Sequence, residues 1–448
     1  MTEEEQHVKK SGLLVATVLL AIPLALAAAG CGGGGDNGGG GGSATALPSS
    51  SCEPVQYGPG GTPDAIIASD LPLQGANRPL TTEMAKAVAF VLEQHDWKAG
   101  GKTIGFQSCD DSTAQAGSWD SAKCTANARN YANNSSLLAV IGTFNSGCAK
   151  LEIPIANNSS DGPLLYVSPA NTYPGLTISG PGTEAGEPDS YYPTGKRNYA
   201  RVVWNDQFQG AADAQFAKDQ GFKKVYVLTD KETYGLGIAT LFQQYAKKLG
   251  IATVPGSPQA WDKNASSYDA IATKIKASGA DAIFLGGIIC NNGGKLIKDL
   301  RAGVGSNVVI FAPDGFTPID EATVKTAGQA SEGMFITQPG IPSDQLKGAG
   351  QDFVEKFGQK IGKQPNPYTN YAAQAAEVAL TAIDKASAER DKVAEQVFGL
   401  DVKDGILGDF KIDDNGDTTL GTVGVWQVKG QKGTFVKTIT PELSFVKG

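Results

Sequence analysis

Small hydroxyl and carboxylate residues stand at points where apolar runs of this chain end. Ser146 follows the apolar run 137–141 and a glycine turn, at the predicted start of a helix. The first N–H groups of a helix lack intrahelical partners and carry positive partial charge, so Ser146 and Gly147 form a candidate anion site. The alternative is that Ser146 only caps its own helix. Asp314 follows a later apolar run and is a candidate partner for a cation.

These residues need a scaffold, and the alternation of apolar runs with helical patterns predicts one. Short apolar runs alternate with helical patterns between residues 65 and 167, and a second such set follows between residues 225 and 337. This alternation is typical of parallel sheets that are covered on both faces. We therefore predict an α/β fold with two doubly wound, Rossmann-like lobes.

The polar loops after the predicted strands are the candidate binding surface, because ligands of open α/β sheets lie beyond the carboxyl ends of the strands. In the first lobe these loops are 69–78, 145–147 and 168–172, and in the second lobe they are 230–235, 286–292 and 313–317. Hydroxyl groups and a helix N-terminus in one lobe, with a carboxylate in the other, suit a small zwitterion.

Composition excludes several classes of function. The formal net charge of −8 argues against a nucleic-acid partner. Only His7 and His95 are present, so chemistry or metal binding that needs several histidines is excluded. The segment 412–417 alternates acidic residues like a calcium loop, but its glycine is misplaced, and Asn415-Gly416 is typical of a hairpin turn within a β-hairpin over 408–428. We predict no metal and no cofactor.

The N-terminus predicts export. Lys9 and Lys10 precede an apolar run over 13–29, and small residues then lead to Cys31. This pattern is typical of a signal peptide, and its end resembles the lipobox of bacterial lipoproteins, in which the cysteine is lipidated. An uncleaved membrane anchor is the alternative. We expect residues 1–31 to form the signal peptide, 32–61 to be a Gly/Ser-rich tether, and the rest to lie outside the cytoplasm.

Five motifs together carry a family resemblance. They are SDLPLQG at 69–75, VIGTFNSG at 140–147, SPANT at 168–172, TDKETYGLG at 229–237, and APDGF followed by EGMFIT within 312–337. In this order and spacing the chain resembles the substrate-binding proteins of ABC importers for branched-chain amino acids and related amides. The resemblance implies two Rossmann-like lobes joined by three crossing segments, with the ligand enclosed between them.

The resemblance also implies roles for individual residues. Ser146 and the N–H groups beside it would hold the ligand carboxylate. Ala170 and Thr172 would contribute backbone and hydroxyl contacts to the ligand head. Asp314 would take the ammonium group, and Tyr234 would close over the ligand.

Three further positions bear on specificity. Tyr371, or else Tyr368, is expected to line the pocket. Ile288 stands where the family often has tyrosine, and Arg78 stands where an uncharged or aromatic residue is more usual. Arg78 either pairs with a second carboxylate on the ligand or is a solvated loop residue.

By the same resemblance, the N-terminal lobe comprises 62–200 and 337–398, and the C-terminal lobe comprises 201–336 and 399–448. Disulfides are expected in an exported chain with six cysteines. A bridge between Cys109 and Cys124 is the first choice, because Cys109 ends a strand and Cys124 lies in the next helix. A bridge between Cys124 and Cys148 is the rival.

Three functions are compatible with these residues. The first is a transport receptor, not an enzyme, that binds a small amino acid or amide and delivers it to the membrane permease of an ABC importer. The second is a ligand sensor on the same lobes that signals to a membrane partner. The third is a hydrolase with Ser146 as nucleophile, which the absence of a G-x-S-x-G motif and of a nearby histidine disfavours.

Overall fold

The computed structural model describes residues 43–447, in which strands and helices alternate as predicted. The predicted signal peptide, Cys31 and the first residues of the tether lie outside this range. The strands are β1 (Ala65–Leu71), β2 (Lys98–Ala99), β3 (Lys102–Asp110), β4 (Ser112–Thr113), β5 (Ser118–Trp119), β6 (Leu137–Gly142), β7 (Leu165–Ser168), β8 (Tyr199–Arg201), β9 (Lys224–Thr229), β10 (Ala252–Thr253), β11 (Gln259–Ala260), β12 (Ala282–Gly286), β13 (Val309–Ala312), β14 (Phe335–Pro339), β15 (Asp401–Gly405), β16 (Gly408–Lys411), β17 (Val423–Lys429) and β18 (Lys432–Ile439).

The α-helices cover both faces of the two main sheets. They are α1 (Arg78–Gln94), α2 (Ser121–Ala132), α3 (Ser146–Asn157), α4 (Asp206–Asp219), α5 (Thr233–Lys248), α6 (Asp269–Ser278), α7 (Gly293–Val304), α8 (Lys325–Ala327), α9 (Ala349–Ile361), α10 (Pro367–Lys385), α11 (Arg390–Val393) and α12 (Leu443–Lys447). Among the described residues, none of these helices combines the length and the apolar composition that crossing a membrane requires.

The first main sheet has the strand order β2-β3-β1-β6-β7-β8. All of its pairs are parallel except β2 with β3. Strands β1 and β6 are buried along their whole length, as expected for strands that helices cover on both faces. The strand order reverses beside β1, so the loops after β1 and β6 diverge and leave a crevice between them.

The second main sheet repeats this arrangement. Its order is β10-β9-β12-β13-β14-β17-β18, with β11 also paired to β9. The pairs are parallel as far as β14, and β17 and β18 then add two antiparallel strands. The loops after β9 and β12 therefore flank a second crevice.

The chain passes between the two sheets three times. It leaves the first sheet after β8 and the second after β14, and α10 then packs against α1, β6 and β7 of the first lobe. The last passage precedes β17, which returns to the second sheet. The predicted architecture of two lobes joined by three crossover segments is confirmed.

Residues 43–61 are not the tether that their composition predicts. Leu47 is only 4% exposed, and its N–H donates to Gln107 Oε1 at 2.6 Å. Gln56 exchanges backbone hydrogen bonds of 2.8 Å with Phe106 of β3. Because β2 pairs only with Lys102 and Thr103 of β3, the rest of that edge has unpaired backbone groups, and the N-terminal segment pairs with them. The tether prediction is therefore wrong for this part of the chain.

The cysteine pairing also differs from the first choice. Cys52 is bonded to Cys109, and Cys124 to Cys148, so the Cys109–Cys124 expectation is wrong and the rival pairing is present. Cys109 lies on the edge of β3 that the N-terminal segment covers, which brings it beside Cys52. Cys124 lies in α2, which packs against α3, where Cys148 is located.

The predicted hairpin over 408–428 is only partly correct. A turn does occur at Asn415-Gly416, where the N–H of Asp413 donates to the carbonyl of Asp417 at 2.8 Å. The flanking strands take other partners, since β16 pairs with β15, and β17 with β14 and β18. The second sheet offers β17 an unpaired edge at β14, which sequence periodicity does not reveal.

Candidate functional site

The loops that follow the strands of both sheets enclose a cavity between the lobes. The free space inside it is small, ≈ 30 Å³, so the lining residues lie close together. The lining residues come from the loops after β6, β7, β9, β12 and β13 and from α10. They are Phe144, Asn145, Ser146, Ala170, Thr172, Tyr234, Ile288, Asp314, Gly315 and Tyr368.

The N-terminus of α3 forms one end of the cavity. Asn145 is the residue before the helix, with extended backbone angles and no side-chain cap. Ser146 is 3% exposed, and its Oγ accepts a hydrogen bond of 3.4 Å from the N–H of Tyr173. With no capping side chain on the helix, its first N–H groups are available to an anion.

Asp314 forms another part of the wall. Tyr234 of α5 donates its hydroxyl to Asp314 Oδ1 at 2.6 Å, and Tyr368 of α10 donates to Oδ2. Burial raises the pKa of Asp314, and the hydrogen bonds from the two tyrosines oppose that rise. The carboxylate is thus held in a fixed position by one side chain from each lobe.

Two loop contacts also join the lobes near the cavity. Asn77, between β1 and α1, donates through Nδ2 to the carbonyl of Thr317 at 3.4 Å. The Cys290 thiol, from the loop after β12, donates to Asn77 Oδ1. Together with the bond between Asp314 and Tyr368, these contacts hold the lobes in a closed arrangement.

The structure brings together most of the residues that the sequence singled out. Ser146, Ala170, Thr172, Tyr234, Ile288 and Asp314 all line the cavity. The sequence feature that identified them is their position, because each lies just beyond the carboxyl end of a predicted strand or at the start of the helix that follows.

Three of the expected residues do not line the cavity. Arg78 is exposed at the first turn of α1, so it is the solvated residue of the two alternatives. Gly147 lies in α3 against Trp119, where an added Cβ would come within 2.5 Å of the indole ring. Tyr371 is buried but lies one helical turn beyond Tyr368, which occupies the expected place.

Tyr368, the second choice from the sequence, lines the cavity because of where α10 begins. The helix begins at Pro367, and Asn366 caps it by accepting a 3.3 Å hydrogen bond from the N–H of Tyr368. An asparagine followed by proline is the usual helix-start signal, and it could have identified Tyr368. Phe144 was also missed, although it immediately precedes Asn145 in the same loop.

The histidine of the described residues is not part of this site. His95 follows the last turn of α1, and its Nε2 lies 2.8 Å from Glu377 of α10. This pairing raises the pKa of His95. Within residues 43–447, Ser146 therefore has no histidine beside it to act as a general base, which removes the support for the hydrolase hypothesis.

Comparison with known proteins gives one consistent result. The family described as "Periplasmic binding protein" matches residues 67–434. An "Amino acid binding protein" of Pseudomonas aeruginosa is 26% identical over 373 residues, which cover 82% of this chain and 91% of that protein. A "Leu/Ile/Val/Thr-binding protein" of Salmonella typhimurium is 24% identical over 304 residues, which cover 66% of this chain and 74% of that protein.

The solved structures agree with these relatives. The crystal structure of a leucine-binding protein, LivK, from Thermotoga maritima superposes with a TM-score of 0.72 and 25% sequence identity. The superposition covers 84% of this chain and 99% of that one. The two-lobed fold of the chain is therefore shared along the whole length of that protein.

Proposed function

The chain belongs to the periplasmic binding protein family, and we propose that it is a receptor for an aliphatic α-amino acid, which it delivers to an ABC importer. Proteins of this family bind solutes outside the cytoplasm and do not transform them. The observation that carries the proposal is that the cavity has a helix N-terminus in one lobe and a tyrosine-held carboxylate, Asp314, from the other.

The first lobe would hold the ligand carboxylate. The N–H groups at the start of α3 and the hydroxyl of Ser146 supply hydrogen-bond donors and positive partial charge. Ala170 and Thr172, from the loop after β7, extend this polar wall with backbone groups and a hydroxyl.

The second lobe would hold the ligand ammonium. Asp314 is the lining residue with a carboxylate, and its hydrogen bonds to Tyr234 and Tyr368 fix its orientation. A buried ammonium requires such a partner, because an unpaired charge in a closed cavity is strongly unfavourable.

The remaining lining side chains select for an apolar ligand side chain. Phe144 and Ile288 are apolar, and the rings of Tyr234 and Tyr368 contribute their faces. Arg78 is exposed and lies outside the cavity, so it offers no partner to a second carboxylate on the ligand. An aliphatic amino acid therefore fits the lining better than an acidic one.

Isothermal titration of the full chain with L-leucine and two analogues tests this proposal. Leucinamide lacks the carboxylate, and 4-methylpentanoate lacks the ammonium. We expect leucine to bind and each analogue to lose about 2–5 kcal/mol, since removing one partner leaves a desolvated group unpaired. Tight binding of 4-methylpentanoate would contradict the role of Asp314. No binding of leucine, isoleucine or valine would contradict the proposed ligand class.

We further propose the export route and the boundaries of the lobes. Cleavage before Cys31 and lipidation of that cysteine would anchor the chain on the outer face of the membrane, near the permease. The N-terminal lobe would comprise 62–200 and 337–398, and the C-terminal lobe 201–336 and 399–448. Mass spectrometry of the mature N-terminus tests the anchor, because Cys31→Ala should abolish the acyl modification. An unmodified Cys31 in the wild-type protein would contradict it.

A further inference from the structure

A row of buried polar side chains lies on α4, behind the ligand cavity. Asp206, Gln209 and Asp213 are spaced at i, i+3 and i+7, so they share one face of the helix, and all three are completely buried. We call Asp206, Asp213 and Asp314 the acidic floor.

The floor is connected to the cavity through hydrogen bonds. The N–H of Asp206 donates to the carbonyl of Thr172, a lining residue, at 2.7 Å. At the deeper end, Thr337 donates its hydroxyl to Asp213 Oδ1 at 2.8 Å, and Gln209 Nε2 donates to Thr337 Oγ1 at 3.0 Å.

Several oxygen atoms of the acidic floor and of Gln209 have no partner within the described protein. Both carboxylate oxygens of Asp206, Oδ2 of Asp213 and Oε1 of Gln209 are buried and accept no hydrogen bond there. Buried polar atoms are nearly always hydrogen-bonded, so a cluster of unsatisfied oxygens beside a ligand cavity requires an explanation.

In the part of the chain that the structure describes, no cation forms an ion pair with the floor. Within residues 43–447, no salt bridge involves any of its three carboxylates. The positive charge of Arg201 opposes the rise that burial causes in the pKa of Asp206, but Arg201 is paired elsewhere, since its Nε donates to Asp417 at 2.7 Å. The other ionisable groups that act on the floor are Tyr234 and Tyr368, which are neutral donors.

Three buried carboxylates with so little compensation cannot all be ionised. Burial raises the pKa of Asp206 and of Asp213, and the negative charge of Asp314 raises both further. Because the charge of Asp314 acts on both of the other carboxylates, ionisation of one member of the floor disfavours ionisation of the others. At least one proton is therefore retained when no cation is near.

We propose that binding of the amino acid releases a proton from the acidic floor to solvent. This inference rests on the proposed function, because the ligand ammonium is the cation that enters beside Asp314. The arriving positive charge stabilises the ionised floor, so one carboxyl O–H bond breaks and its proton passes to water. The ammonium keeps its own protons.

Two consequences follow for the receptor. Affinity should fall as the pH falls, by up to tenfold per pH unit while one proton is exchanged, so that capture is strongest at neutral pH. A ligand without a cationic group, such as an amide or a simple carboxylic acid, gains nothing from the floor.

Calorimetric titration of the full chain with L-leucine near pH 7, in two buffers of different ionisation enthalpy, measures the proton directly. Free leucine carries a full ammonium at this pH, so a proton that appears on binding comes from the complex. We expect roughly one proton released per leucine. An apparent binding enthalpy equal in both buffers would overturn the inference and leave the receptor function intact. Failure of leucine, isoleucine and valine to bind at any pH would instead overturn the proposed function.

Two variants on the same helix locate the proton. Asp213→Asn removes one floor carboxylate that does not line the cavity, so proton release should fall to less than about half of the wild-type value. Asp219→Asn is the control, because Asp219 is exposed at the end of α4 and pairs with Lys437. Equal release by wild type and both variants would place the proton elsewhere. If Asp213→Asn does not fold, the pH dependence of the wild-type affinity still decides, since a flat profile between about pH 5.5 and 7.5 contradicts the inference.

Discussion

Replacement of Asp314 by alanine tests ammonium recognition most severely. Asp314 is 7% exposed, and its carboxylate accepts a 2.6 Å hydrogen bond from Tyr234, so the carboxylate is largely shielded from water. Removing one partner of a buried charge pair costs about 2–5 kcal/mol, which corresponds to about 30-fold to several-thousand-fold in affinity. We therefore expect Asp314→Ala to lose leucine binding by at least that lower factor while its thermal unfolding stays cooperative.

The assay is isothermal titration of both proteins under the same buffer conditions. Asp320→Ala is a matched control, because Asp320 lies six residues further on, is exposed, and does not line the cavity. Its affinity should stay within about twofold of wild type, as is usual for a surface change. An Asp314→Ala affinity within threefold of wild type would refute the assignment of this residue.

Four other predictions concern the site and the fold. Ser146→Ala should weaken binding by about 1–2 kcal/mol in the same titration, less than Asp314→Ala, because the helix N–H groups remain; a larger loss would assign the carboxylate mainly to the hydroxyl. Cys290 is the free cysteine among the described residues, and its thiol donates a hydrogen bond to the opposite lobe. Labelling of this thiol should therefore become slower when leucine closes the lobes, and Cys290→Ser is the control. An unchanged labelling rate would argue against hinge closure. Cys52→Ser should lower the free energy of unfolding, measured in urea, by about 2–5 kcal/mol, because the disulfide to Cys109 closes a long loop across the edge of β3. An unchanged urea midpoint would show that the N-terminal segment does not need this disulfide. Burial raises the pKa of Asp70 from 3.8 to about 6, so the stability from its protonated form is present below 3.8 and is lost as the pH rises through about 6. Urea unfolding of the wild type should show about 2 kcal/mol of this contribution lost between pH 4.5 and 7.5, and Asp70→Asn should not show that loss.

Much of the fold was accessible from the sequence because its determinants are local. Buried parallel strands read as apolar runs, and the helices between them show their own periodicity. The rule that ligands lie beyond the carboxyl ends of strands then indicates the loops that contain Ser146, Thr172 and Asp314.

The features that were missed depend on contacts between distant segments. The pairing of residues 52–56 with β3, and with it the Cys52–Cys109 bridge, follows from an open sheet edge that composition does not show. The choice between Tyr368 and Tyr371 depended on one helix boundary. The sequence did not indicate the acidic floor, because α4 is buried on most of its surface. Its aspartates therefore do not form a separate polar face that the sequence pattern would show.

Whether the interlobe cavity holds a zwitterionic amino acid can be measured directly. Mass spectrometry can identify the small molecules that the purified full chain releases on denaturation, for wild type and Asp314→Ala in parallel. We expect wild type to release an aliphatic α-amino acid, at up to one molecule per chain, and the variant to release little or none. Release of a carboxylic acid without an amino group, or of the same ligand in equal amount from both proteins, would contradict it.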